Sequence, residues 1–194
     1  MLHQANIRSR RAPAHRLAWL FGLLWCVWAS TAAALDPDRL PTQYITANWR
    51  DEHGLPQNSA VALAQTPDGY LWVGTQEGLV RFDGVRFKLF DRNNLAALSS
   101  NSILSLKVDR QGRMWIGTRS GLLMWDRGQF RDFHDVAGLQ EASVYGIGES
   151  RDGTLWFGSD IGLYRSEGAT VRRVSNDEGL SGNNIRTVYV DRHD

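Results

Sequence analysis

The groups that usually carry chemistry are thinly spread through this 194-residue chain. His3 and His15 lie in a basic, apolar leader, which leaves His53, His134 and His193, each alone in a loop or at a strand end. None stands at a metal-ligand spacing from another His, Asp or Glu, so no metal site is expected. Cys26 is the sole cysteine and belongs to the leader, so neither a disulfide nor thiol chemistry is expected of the mature chain. Asp51-Glu52 and Asp177-Glu178 are acidic pairs, but they occupy the same loop of different repeats. An acid–base pair needs two unlike environments, which a repeated loop does not supply. No Gly-x-Ser-x-Gly, phosphate loop or dinucleotide fingerprint is present. The chain is read as not an enzyme, and no cofactor is expected.

Polar side chains that recur in loops are better candidates, and their chemistry is recognition. Gln57, Asn58 and Ser59 precede one apolar run, Asn101 and Ser102 a second, Glu141-Ala142-Ser143 a third, and Asn183 and Asn184 a fourth. Gln76 and Glu77, Arg119 with Ser120, and Asp160 stand just before Gly-Leu pairs. Binding groups concentrate on loops held by a rigid scaffold, and a ring would bring these loops to one central pocket. The alternative is structural, because Asn and Ser close turns with their own side chains. The residues do not specify a ligand.

The elements that must position them repeat. Asp68-Gly69-Tyr70-Leu71-Trp72-Val73-Gly74-Thr75 with Gly78-Leu79 is the first copy. Gln111 to Thr118 with Gly121-Leu122 is the second, and Asp152 to Ser159 with Gly162-Leu163 is the third. Trp72 and Trp115 are 43 residues apart, and Trp115 and Trp156 are 41. Leu55, Leu98, Leu139 and Leu180 keep step at 43, 41 and 41. Two landmarks sharing one period near 40 define one repeated unit, either a propeller blade or a helical array. The runs are short, alternating and punctuated by glycine. In the first copy they are Val61 to Thr66, Leu71 to Thr75, Leu79 to Asp83 and Arg86 to Phe90. Asp83-Gly84 between two such runs is a hairpin signal for a type I′ turn. No segment offers three helical turns. Four short antiparallel strands per unit make a propeller blade, with blades expected at about 61–91, 103–133 and 144–174 and the start of a fourth at 185.

Alternation places Trp72, Trp115 and Trp156 on one face of the second strand together with Gly74, Gly117 and Gly158, and the Thr or Ser that follows on the other. The tryptophans are expected to fill the gaps between blades, where an aromatic ring buries some 150–250 Å². Trp115, flanked by two neighbours, is expected to be the most buried.

Residues 1–34 read as a signal peptide. Arg8, Arg10, Arg11 and Arg16 precede a thirteen-residue apolar run from Leu17 to Ala29, then small residues to Ala34. That run is short for a membrane span. Beyond it the chain carries 18 basic and 21 acidic residues, which argues against nucleic acid as a partner. Residues 35–43 are a proline-flanked lead-in. Tyr44 to Trp49 reads as an outermost strand without its own blade, and Ile185 to Val190 as an innermost strand without its blade. The fold class is therefore all-β, an incomplete β-propeller over 44–194, and the sequence reads as the front of a longer protein.

The strand, Pro-Asp-Gly, Leu-Trp-Val-Gly-Thr, Gly-Leu and Arg-Phe-Asp-Gly order resembles the two-component regulator propeller repeat. Trp49 with Asp51 to Ser59 resembles the opening of periplasmic sensor regions built from it. The resemblance implies an exported, periplasmic sensor of a receptor anchored in the inner membrane, with a histidine kinase or a diguanylate cyclase as output, neither of which this chain contains. Its implied partners are a small-molecule or glycan ligand, or a periplasmic protein, and the remaining blades. The competing reading is a stand-alone exported interaction module that closes its propeller by self-association.

Overall fold

The computed structural model describes Trp49, residues 54–174 and residues 179–191. The leader, the lead-in, residues 44–48, the two acidic pairs, His53 and His193 lie outside the described residues. Among those described, twelve strands form three four-stranded antiparallel meanders. The first is β1 (Ala62–Gln65), β2 (Leu71–Gly74), β3 (Leu79–Phe82) and β4 (Phe87–Phe90). The second is β5 (Ile103–Val108), β6 (Met114–Thr118), β7 (Gly121–Asp126) and β8 (Gln129–Asp132). The third is β9 (Val144–Glu149), β10 (Leu155–Ser159), β11 (Gly162–Glu167) and β12 (Thr170–Arg173). The one helical element among these residues is a 3₁₀ turn at Leu139–Glu141. These are propeller blades, with the inner strands β1, β5 and β9 adjoining one another.

Why the chain folds this way shows best in blade two. Every residue of β6 is buried, because this strand has a sheet neighbour on each side and a blade on each face. Blade one meets blade two through Trp72, Leu79, Ile103, Met114, Ile116 and Trp125, and blade two meets blade three through Trp115, Val144, Leu155 and Phe157. The two glycine-directed approaches are close. A Cβ on Gly74 would lie 2.6 Å from Ile103 Cγ2, and one on Gly117 would lie 2.4 Å from the Val144 carbonyl oxygen. Each is a place where the next blade's inner strand fits only because no side chain intervenes.

The segment 185–190 takes the same seat on blade three. Ile185 N–H donates to Ser159 O at 2.7 Å, as Ile103 N–H donates to Thr75 O at 2.9 Å. A Cβ on Gly158 would meet Ile185 Cγ2 at 2.7 Å. The segment has no ladder partner among the described residues, and Trp49 is likewise outside any ladder, its ring tilted against Phe82 and edge-on to Phe87.

Two expectations need correcting. Asp83-Gly84 is not a two-residue type I′ turn: Asp83 N–H reaches the Arg86 carbonyl at 3.2 Å, and Asp83 Oδ1 accepts the Val85 and Arg86 N–H groups. The loop enclosed is Gly84-Val85, one residue further on, with only Gly84 at positive φ (96°) and the Asp83 carboxylate capping it. The turn with two positive φ angles is Arg127-Gly128, at 46° and 89°. Nor is Trp115 the most buried tryptophan. It is 3 % exposed and Trp72 0 %. Trp72 faces Trp125 and Phe130, with centroids at 5.3 and 6.3 Å, whereas blade three offers Ser166 and Val171 at the corresponding repeat positions.

Trp156 is only part-buried, lining a cleft of about 440 Å³ with Leu163, Val188 and Tyr189. Trp72→Ala and Trp115→Ala should therefore each cost about 3–5 kcal/mol in urea unfolding, through lost transfer energy and a cavity. Trp156→Ala should cost less, and equal losses at all three would contradict this packing.

Candidate ligand-binding face

The crossings from one blade's outer strand to the next blade's inner strand lie on the same face as the turns between second and third strands. Each turn is built by the hydroxyl that ends the second strand. Thr75, Thr118 and Ser159 donate to the carbonyls of Gly78, Gly121 and Gly162 at 2.9, 3.0 and 2.7 Å. The same oxygens accept the N–H groups of Glu77, Ser120 and Ile161. These hydroxyls are fully buried, so this satisfaction is required.

The structure brings several of the sequence-predicted residues together. Gln57 Oε1 accepts the Gln76 N–H at 3.3 Å, tying the first crossing to the first turn. Arg119 N–H donates to the Ser102 carbonyl at 3.0 Å. Ser143 of the third crossing joins two blades: its hydroxyl donates to the Arg119 carbonyl at 3.0 Å, and its N–H donates to Asp160 Oδ1 at 2.9 Å. Asn101 Oδ1 accepts the Arg92 N–H at 2.9 Å and braces its own crossing. Ser102 N–H donates to Ser100 Oγ, while the Ser102 hydroxyl is buried without a partner. Asn58, Ser59, Glu77, Asn183 and Asn184 are exposed, and the last two lead directly into Ile185. Part of this set therefore holds the scaffold, and part presents side chains to solvent. Beside the third turn Tyr164 is fully buried, and burial pushes its phenol above the ordinary range.

Two features escaped the sequence reading. The first is the partner of each indole N–H. Trp72 donates to Thr66 at 3.0 Å, Trp115 to Asp109 at 2.8 Å and Trp156 to Ser150 at 2.7 Å. The signal was there, since a polar residue stands six positions before every repeat tryptophan. Asp109 also accepts from Arg113 Nε at 2.7 Å and from the N–H groups of Gln111 and Arg113, so its buried carboxylate is fully paired.

The second is a bulge in the inner strands. Ile103 pairs with Thr118 and Ser105 with Gly117, leaving Leu104 extra. Val144 pairs with Ser159 and Gly146 with Gly158, leaving Tyr145 extra. In blade one Ala62 is paired with Gly74, and Val61 N–H also reaches the Gly74 carbonyl.

The opposite face is different in kind. There Asp83 is held below the usual carboxylate range by the Arg86 and Val85 N–H groups, and Asp152 by the N–H and hydroxyl of Thr154. On the crossing side, by contrast, His134 sits against Asp132 where β8 ends at the outer edge of blade two. Among the described residues no three His, Cys, Asp or Glu side chains gather to hold a metal ion.

The family described as two component regulator propeller matches residues 54–77 and 97–120. The matches fall on one stretch in each of blades one and two, together about a quarter of the chain. Each matched stretch begins at a crossing and ends at the turn after the second strand, so both ends of the repeat lie on the candidate face. A histidine kinase of Formosa agariphila is 40% identical over 53 residues, which is 27% of this chain and 4% of that protein. The extracellular domain assigned to a hybrid two component system of B. thetaiotaomicron superposes with a TM-score of 0.66 at 18% identity. That match covers 76% of this chain and 21% of the other. A second such domain from the same organism, assigned to a one component system, gives 0.63 at 23% identity over 78% and 22%. The chain thus spans about a fifth of each of these domains, and the likeness is one of fold.

If Asp160 serves the scaffold, Asp160→Ala should cost about 1–3 kcal/mol by stranding the Ser143 N–H. Glu77→Ala, which removes only an exposed side chain, should stay within about 0.5 kcal/mol. Urea unfolding of the two variants checks this.

Proposed function

We propose that this chain is the N-terminal part of the ligand-sensing propeller of a transmembrane signalling receptor, exported to the periplasm, with a histidine kinase or diguanylate cyclase as its output. The observation that carries the reading is the propeller repeat itself, with both ends of each matched stretch on one polar face. Rigid blades hold that face, so a bound molecule meets preset groups and the ordering cost of binding is small. The exposed Asn58, Ser59, Asn183 and Asn184, with the part-exposed Asn101, offer amide and hydroxyl groups that suit a polar small molecule, a glycan, or a loop of a periplasmic protein. The basic leader supports export. The share of the comparison domains that the chain spans supports further blades around the ring.

A tag placed after Val85, which is 83 % exposed at a hairpin tip away from the candidate face, reports location without disturbing the site. In the native cell it should become protease-accessible once the outer membrane is opened, and it should sediment with membranes. Protection until the cytoplasm is lysed would contradict the reading, and a tagged protein free in the periplasm would favour the stand-alone module.

A further inference from the structure

The bulged residues Leu104 and Tyr145 occupy one repeat position, held by Val61 in the copy before them and by Arg186 in the copy after, at spacings of 43, 41 and 41. Their neighbours in the same strands keep one chemistry across the copies. The position two residues later reads Leu63, Leu106, Ile147 and Val188, and the position between them reads Ala62, Ser105, Gly146 and Thr187. Leu106 and Ile147 pack against the buried clusters between blades, while Leu63 on the first blade is 62 % exposed. The series thus keeps one residue type, large and apolar at one position and small at the other. The bulged position alone runs from two aliphatics to a phenol and a guanidinium. Blade packing sets no such variety, and a bulge frees a side chain from the ladder and re-aims it, often beside a site.

The four residues lie just inside the crossing face, each the second residue after Ser59, Ser102, Ser143 or Asn184. Val61 is 48 % exposed and Arg186 exposed, while Leu104 and Tyr145 are part-exposed. The Arg186 guanidinium carbon stands 4.1 Å from the centroid of the Tyr145 ring, so neighbouring members of the series touch. A guanidinium stacked on a ring keeps its N–H donors in its own plane, directed past the ring edge. That fork matches a carboxylate, which accepts two parallel hydrogen bonds. The ring of Tyr145 and the aliphatic side chains of Leu104 and Val61 continue the series on adjoining inner strands and offer apolar surface. One charged end and an apolar run beside it suit a ligand built the same way.

We propose that Val61, Leu104, Tyr145 and Arg186 form a recognition arc for small carboxylates with an apolar body, the carboxylate on Arg186 and the body over Tyr145 and Leu104. This rests on the reading of the crossing face as the sensing face. The test is calorimetry on the whole chain with benzoate and two controls, benzyl alcohol for the charge and glucuronate for the apolar body. Benzoate should bind saturably, with each control about tenfold weaker or more. Arg186→Gln should remove the preference for benzoate over benzyl alcohol, Tyr145→Leu should weaken binding, and Tyr145→Phe should keep it. Arg131→Gln should change nothing: its guanidinium carbon also sits over a ring, 5.0 Å from the Phe133 centroid, but outside the arc. Failure of benzoate to bind overturns the arc and leaves the location experiment to judge the sensing reading by itself. Glucuronate held as tightly as benzoate also overturns the arc, because its apolar wall then selects nothing. Binding that survives Arg186→Gln but is lost in Asn183→Ala overturns the arc while upholding the face. Binding indifferent to every one of these variants overturns both.

Discussion

A methyl group at Gly117 would stand 2.2 Å from Ser105 Oγ and 2.4 Å from the carbonyl oxygen of Val144, and the arrangement of the blades depends on that space staying empty. Gly74 does the same for Ile103, and Gly158 for Ile185. Once the next inner strand is this close, the tryptophan two residues earlier on the same face has nowhere to go but the gap between blades. Its indole N–H is then cut off from water and needs a partner. Thr66, Asp109 and Ser150 supply it from just past the end of the blade's own inner strand. A buried N–H left unpaired would cost about 1–3 kcal/mol, so the polar residue at that position is as much a demand of the packing as the glycine. Repeats that meet only their neighbours take their stability from such interfaces.

Much of this was legible in the residues, and the reasons differ from place to place. The 41–43 spacing exposed the blade because Trp, Gly and Thr each answer a need that recurs in every copy. The hairpin at Asp83-Gly84 misled because Asp has two uses in a turn: it tolerates positive φ, and it caps backbone N–H groups, which is what its carboxylate does here. The relative burial of Trp72 and Trp115 was not legible from the strand carrying them, since it depends on whether the next blade brings Trp125 and Phe130 or Ser166 and Val171. The bulges at Leu104 and Tyr145 left no mark in the sequence. An inserted residue in a six-residue strand changes which backbone groups pair without changing which residue types are present.

The candidate face was partly legible for the same reason. Its loops could be placed from the repeat, but the tasks of individual residues could not. Asp160 and the backbone of Arg119 hold Ser143 and so join blade two to blade three, whereas Asn183 and Asn184 remain exposed beside a segment docked as an inner strand. A base of repeated contacts carries varied side chains at one bulged position. On the proposed sensing reading, the repeated residues fix where the face is and the varied ones would set what it selects.

Neighbouring blades are coupled through the missing side chain on the second strand. A double-mutant cycle of Gly74→Ala with Ile103→Ala measures that coupling, because the atom a Cβ on Gly74 would strike is Ile103 Cγ2, at 2.6 Å. Gly74→Ala should destabilise the wild-type chain but cost little once Ile103 is alanine, giving a coupling of about 1–3 kcal/mol. Additive effects, with Gly74→Ala equally costly in both backgrounds, would contradict it.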